Sequence, residues 1–457
     1  MKLESVDKLG KEKKRGMPSL WLGLLVVLAV VVFGGMKLYE MELPQIEVTT
    51  DIAHLGASKR VGVTISDAKS GVRGFSVVLE QGGHRVTVHE QQYPGTGFGI
   101  VSGPARIAEE FDVDAKAHKF TDGEARLVVI AHDYSWWHWR TGNIVTASFP
   151  ATIDTRPPSV QITASPNHIK AGGAGAVVYH LSEPTAKHGV VIDGDFHPGY
   201  PLSSHGEGVY GATIAIRFDA EKITQAYVTA TDLAGNVGRS SDFGMLLRRS
   251  PKKVDRINIS DDFLASKLPE FAAHTEQLIG TPLEQYITIN TRIRQENNKR
   301  IAEVCATSAP ERFWQGVFGR LAGSNRAGYA DYRTYFYNNE EIDNQVHLGI
   351  DLASTKHAEV GAANRGRVVF ADYLGIYGNT VIVDHGLGVF SLYSHLNQID
   401  VKVGDMVEKD APLGRTGATG MAGGDHLHFA MLVNGIFVNP IEWWDPHWLE
   451  LNIEGSL

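Results

Sequence analysis

GGDHLHFAML, residues 423–432, sets His426 and His428 one residue apart within an apolar run. Side chains at i and i+2 of a β-strand share a face, so the two imidazoles can point into one groove. The same count applies to HLGID, residues 347–351, where His347 and Asp351 stand at i and i+4. Gly349 between them leaves their shared face open and would weaken a helix. Neither spacing carries weight alone. With 19 histidines in 457 residues, about one HxH pair is expected by chance, and HxxxD recurs at His118 and Asp122.

The chemistry open to such a set is metal-assisted hydrolysis. Two histidine nitrogens and one carboxylate oxygen make a three-ligand zinc site with a fourth tetrahedral position left for water. Zinc lowers the pKa of that water and polarises a carbonyl, so an amide can be attacked at cellular pH. Two further histidines suffice to take and deliver the protons.

Order and context make the set specific. From about residue 331 to 440 the chain carries NQVHLGIDLAS, then YSHL with His395, then the glycine-punctuated VGDMVEKDAPLGRTGATG, then the HxH pair. This succession resembles the catalytic domain of the lysostaphin-type, or LytM-type, zinc metallopeptidases of peptidase family M23. The resemblance implies a compact antiparallel β-fold with an open groove and one zinc ion (Zn2+) per catalytic domain, held by His347, Asp351 and His428. It implies that His395 and His426 are the catalytic histidines, acting on the water and the developing oxyanion, and that the substrate is the peptide part of peptidoglycan. Every functional position is filled, whereas some relatives have lost ligands and act only as activators of other hydrolases. His357 and His385 match no functional position and are read as structural or exposed, and Asn344 as a loop amide that fixes a turn.

Composition sets the frame. A hydrophobic fraction of 43% with 21% charged residues is that of folded globular material, and a net charge of -9 argues against nucleic acid as a partner. The basic residues of 1–16 precede the uncharged run MPSLWLGLLVVLAVVVFGGM, residues 17–36. That run has the length of a membrane-crossing helix, and its basic flank predicts the N-terminus in the cytoplasm. A cleaved signal peptide is the rival reading. Cys305 is the single cysteine, so no intramolecular disulfide forms, and a buried apolar role is expected for it.

Between residues 43 and 249 short alternating segments such as VGVTIS and FSVVLE are broken by glycine, asparagine and proline. They read as half-buried strands. LPQIEV at 43–48 recurs as PPSVQI at 157–162, and VIAHD at 129–133 recurs as VTATD at 228–232. Two consecutive β-sandwiches are predicted, with DTRPPS as linker. TATDLAGNVG resembles the closing strand and turn of bacterial immunoglobulin-like domains, which usually act as spacers or docking modules. YSWWHWR, residues 134–140, reads either as an aromatic platform for a glycan or as cross-strand packing. Thr281, Pro282 and Glu284 then open a long helix with a capping box, which is either a brace or a segment that covers the site. IEWWDPHW, residues 441–448, is expected to seal the core.

The expected fold is therefore mainly β. It comprises a cytoplasmic basic tail (1–16), a transmembrane helix (17–36), immunoglobulin-like β domains at 43–155 and 156–249, a helical connector (255–310) and an antiparallel β M23 peptidase domain (311–450). The expected protein is a membrane-anchored zinc endopeptidase that cuts peptide cross-links of peptidoglycan in cell-wall remodelling. Its expected place is the cytoplasmic (inner) membrane as a single-pass protein, with the catalytic domain in the periplasm or outside the membrane. Its expected partners are peptidoglycan peptide stems, the membrane through the N-terminal helix, and envelope proteins through the immunoglobulin-like domains. The alternative is a catalytically silent or autoinhibited LytM-like protein that binds the wall or activates an amidase. Whether the bond cut is a D,D-linkage or a glycine bridge is left open by the sequence.

Overall fold

The computed structural model describes residues 18–39, 41–96, 102–137, 141–249, 251–275 and 278–457, and these are mainly β. The basic tail at 1–16, with residues 138–140 of the tryptophan-rich segment, lies outside the described residues. Helix α1 (Pro18–Leu38) covers most of the apolar run, yet among the described residues no helix is long and apolar enough to cross a membrane. The expected transmembrane helix at 17–36 is corrected accordingly. So is the expected single-pass location in the cytoplasmic membrane, with the catalytic domain beyond it, since that rested on the helix.

The chain divides into two compact units. The first runs to Arg156 and includes Ala234–Asn236. Its three-stranded sheet (Gln45–Val48, Lys59–Ser66, Arg106–Val113) and five-stranded sheet (His54–Leu55, Val72–Gln81, His84–Gln92, Gly123–Asp133, Ile144–Ile153) enclose one core. The period-two pattern explains that core, because Val61, Val63 and Ile65 from one sheet and Phe75, Val77 and Leu79 from the other are all buried. In this unit Trp137 packs edge-on against Tyr39, ring centroids 5.1 Å apart. Asp122, of the second HxxxD, is used locally by Thr155 and Arg156.

The second unit, Pro157–Leu233 with Val237–Leu457, holds the histidine motifs. It begins with two four-stranded sheets around Val177, Val190, Ile214 and Val228. Ala174, Tyr200 and Ala215 from these sheets also belong to a core that contains Val389, Val433, Trp443 and Ile453. The Thr213 hydroxyl donates to Leu387 O, and Asn434 Nδ2 donates to Thr213 O at 2.9 Å. Strand β1 (Val254–Ile259) follows, then α2 (Asp261–His274), α3 (Pro282–Thr288) and α4 (Arg294–Val304). The Thr281–Glu284 capping box is formed. A π-helical turn, Ile289–Ile293, joins α3 to α4 and buries Asn290 with Ile289 and Ile293.

Strand β1 pairs in parallel with β2 (Asp331–Tyr337), which pairs with β3 (Glu340–His347). A ten-stranded sheet then carries β4 (Ile350–Ala353), β5 (Val389–Ile399), β6 (Pro412–Thr416) and β7 (Leu427–Val433). Strand β7 lies between β4 and β5 and is buried throughout. Its continuous apolar run follows from that double coverage. Trp443 is fully buried, and Trp444 stacks on Phe429 with centroids 5.7 Å apart.

Candidate functional site

Strand register brings the site together. His428 on β7 stands opposite Asp351 on β4 and opposite Ser394, the neighbour of His395, on β5. His426 lies just ahead of β7, in an isolated bridge with Gly417. The expectation that His347 and Asp351 ride one strand is not met. His347 ends β3 in the three-stranded sheet, and Asp351 belongs to β4 in the ten-stranded one. The switch occurs at Leu348–Gly349, where a Cβ on residue 349 would lie 2.6 Å from Cε1 and Nε2 of His428. Glycine is required there for close approach, not for strand alternation.

Three donor atoms converge. His347 Nε2 is 3.0 Å from Asp351 Oδ1 and 2.9 Å from His428 Nδ1, and His428 Nδ1 is 3.0 Å from Asp351 Oδ1. These separations approach the edge of about 3.3 Å that tetrahedral ligands at zinc distances would define. His347 Nδ1 donates to Gly328 O at 2.8 Å, which leaves a lone pair on Nε2 facing a carboxylate and a second imidazole. His428 Nε2 is buried without a hydrogen-bond partner. Converging lone pairs with an orphaned ring nitrogen fit a cation held by His347, Asp351 and His428, and zinc suits this donor set.

His395 and His426 flank this cluster, with ring centroids 4.9 Å apart. Each donates Nδ1–H to a backbone carbonyl, His395 to Thr419 O at 2.9 Å and His426 to Gly424 O at 2.8 Å, which turns both Nε2 atoms towards the cluster, that of His426 lying 3.5 Å from Asp351 Oδ1. His395 has φ 61° and sits where β5 shifts register, between Tyr393 and Leu396, against the strand Asn379–Gly386. A left-handed histidine at a bulge is backbone strain held in place by the sheet, and it re-aims the side chain.

Electrostatics are organised around Asp351. Burial would raise its pKa, but the charge and hydrogen bond of His347, with hydrogen bonds from His426 and His428, hold it well below the carboxylate range. Burial pushes His428 down to about 4 against the pull of Asp351, and pushes His395 well below the usual imidazole value. Burial also opposes protonation of His426, yet the bond and charge of Asp351 raise it.

Two contributors escape sequence reading. Arg333 on β2 places Nη2 3.1 Å from Asp351 Oδ2, and Tyr377 packs edge-on to His428 with centroids 5.6 Å apart. Arg333 is brought in by strand pairing and Tyr377 by the short helical turn Gly375–Tyr377, and no local spacing signals either. His385 is buried and bonds Arg365 O and the Ser391 hydroxyl, and Asn344 bonds Glu341 and Thr334. His357 is exposed beside Asp425, and Cys305 is a buried thiol whose pKa burial raises.

The histidines and Asp351 border a groove of about 490 Å³ whose far wall comes from β1 and the helices. Helix α2 grips the loop before β7. Lys267 donates to Ala418 O, the Glu270 carboxylate accepts from Gly420 N, and His274 stacks on Tyr373 at 3.8 Å.

Residues 345–440 match the profile of the family described as Peptidase family M23. The DD-carboxypeptidase/endopeptidase Mpg of Neisseria meningitidis serogroup B is 37% identical over 97 residues, 21% of this chain and 22% of that protein. The murein hydrolase activator EnvC of Escherichia coli is 37% identical over 95 residues, 21% of this chain and 23% of its own. The peptidoglycan DD-endopeptidase ShyC of Vibrio cholerae is 35% identical over 96 residues, 21% of this chain and 22% of its own. The chain thus spans less than a quarter of each of these relatives.

Proposed function

Residues 345–440 are a peptidase M23 domain, and from that premise we propose that the chain is a zinc-dependent endopeptidase that hydrolyses peptide cross-links of peptidoglycan. The observation that carries this reading is the convergence of His347 Nε2, Asp351 Oδ1 and His428 Nδ1, 2.9 to 3.0 Å apart, beside two histidines, His395 and His426, anchored through Nδ1. His347, Asp351 and His428 hold one zinc ion, which when bound polarises the scissile carbonyl and lowers the pKa of water.

The surrounding residues fix that set. The Nδ1–H bond of His347 to Gly328 O orients its ring, and Arg333 occupies Asp351 Oδ2 so that Oδ1 faces inward. His395 and His426 are the proton carriers. Anchored through Nδ1, each presents Nε2 to the groove, where one takes a proton from the attacking water and the other delivers one to the departing amine. The wall formed by β1 and α2 limits water in the groove and strengthens these charge interactions. The ShyC and Mpg relatives support a cell-wall peptide as substrate. The silent, activating reading that the EnvC relative suggests calls for a damaged donor set, and His347, Asp351 and His428 are all present.

The test is digestion of purified peptidoglycan by the full chain, with fragments identified by mass spectrometry and zinc measured in the same preparation. Cleaved cross-links with about one zinc per chain support the proposal. A zinc-loaded chain that releases no peptide fragment sinks it, as does a His428→Ala chain that cleaves at the wild-type rate.

A further inference from the structure

The groove runs against the charge of the chain. The sequence as a whole is acidic, with 52 aspartates and glutamates against 43 lysines and arginines. Yet Arg294, Arg326 and Arg333 line the groove, and its carboxylates are Asp255 and Asp351. Asp255 is matched by Lys253 at 3.1 Å. Asp351 is engaged by His347, His426, His428 and Arg333.

Arg294 and Arg326 are held without being neutralised, and Arg333 is only partly engaged, by Asp351. Arg294 Nε donates to Asn290 O at 3.0 Å and its Nη2 donates to the Asn290 side chain, so neutral acceptors orient the guanidinium. Asn290 is itself buried in the π-helical turn and tied to Asp343 Oδ2 at 2.6 Å. Arg326 is exposed on the edge strand Ser324–Ala327, and among the described residues no carboxylate pairs with it or with Arg294. Arg333 spends one Nη on Asp351, and its Nε is buried without a partner. Phe263, Tyr286 and Met421 supply an apolar lining, in which a charge-assisted bond is stronger than in water.

We propose that Arg294, Arg326 and Arg333 form a carboxylate-binding subsite beside the His347, Asp351 and His428 centre, so that the groove selects peptides with a free carboxylate next to the bond cut. The guanidinium fork matches a carboxylate in two parallel bonds, and that geometry reads a planar anion where a lysine would offer a point charge. The inference rests on the hydrolase reading above and names a determinant of its specificity. The carboxylate has two sources in a stem peptide, the C-terminus and the side-chain end of the diamino acid.

Three synthetic cross-linked dimers of D-alanyl stem peptides separate the possibilities. One has free carboxylates, one is amidated at the C-terminus, and one is amidated at the diamino acid. The zinc-loaded full chain should cut the free peptide and show about tenfold or more loss in kcat/KM, through KM, on one of the amides, the size of a charge-assisted hydrogen bond. The peptide that suffers identifies the source. Arg294→Gln and, independently, the exposed Arg326→Gln should bring the ratio between free and amidated peptide towards one. Equal kcat/KM on all three peptides in the parent chain overturns the subsite and leaves the hydrolase reading intact. Full discrimination retained in both variants overturns it too. Failure to cut any peptide, with zinc bound, removes the hydrolase reading and this inference with it.

Discussion

Gly349 lies against the ring of His428. A Cβ at position 349 would fall 2.6 Å from Nε2 and Cε1 of that ring and 2.7 Å from Phe429 O. His428 is buried on a strand paired on both sides, so it has no space to retreat. Gly349→Ala should therefore turn the imidazole and pull Nδ1 away from His347 and Asp351. A loss of about 10- to 100-fold in zinc affinity is expected, measured by competition with a chelator. Unchanged affinity in a folded variant would show that the close approach does not set the ring.

The histidines divide into two kinds by contact. His428 meets both His347 and Asp351 within 3.0 Å, while His395 and His426 direct Nδ1 to backbone carbonyls. His428→Ala should lose zinc and cleavage together. His395→Ala and His426→Ala should keep zinc near the parent level and lose about 10²- to 10⁴-fold in kcat, the usual worth of a positioned acid or base. Metal analysis beside single-turnover cleavage distinguishes the cases. Loss of zinc from His395→Ala to the extent seen in His428→Ala would contradict the division.

Much of this site is legible in the sequence, for reasons that differ by residue. His428 and Asp351 meet because β7 pairs with β4, and the continuous apolar run after HxH marks β7 as a buried strand, while His347 joins them from the end of β3. The reason assigned to HxxxD from spacing does not hold, since the pair spans a change of sheet at Gly349. Arg333 is not legible, because its approach to Asp351 depends on how β2 pairs with β3 and how that sheet meets β4. The apolar run at 17–36 illustrates the opposite failure. It does form a helix, Pro18–Leu38, yet among the described residues no helix is long and apolar enough to cross a membrane.

Acid should unfold the second unit through two neutral imidazoles. His197, beside Asn434, and His385, bonded to Ser391, are buried, and burial lowers each pKa to about 4. In the unfolded chain they titrate near 6.5. Between those values the unfolded state binds protons that the folded state refuses. The stability these groups contribute is therefore complete above about pH 6.5 and is lost as pH falls towards 4, about 3 kcal/mol for each. Urea unfolding of the zinc-free chain at about pH 7 and about pH 4.5 tests this. An unchanged midpoint would mean that the two rings are not kept neutral by folding.

Glu442 should act with the opposite sign. It is 5% exposed, has Lys170 Nζ at 3.6 Å, and leaves Oε2 without a partner. Burial raises its pKa to about 7 against the lowering pull of Lys170, from an ordinary 4.5. The folded state therefore holds a proton that the unfolded state releases between those values. The associated stability is present below about pH 4.5 and is lost as pH rises through about 7, a cost of about 3 kcal/mol. Glu442→Gln keeps the shape and removes the ionisation. The variant should be more stable than the parent by about that amount at about pH 8, with the difference fading near about pH 5. Denaturant midpoints of parent and variant across this range decide the matter. A variant less stable than its parent at high pH would show that the Lys170 pair outweighs the burial of the Glu442 carboxylate.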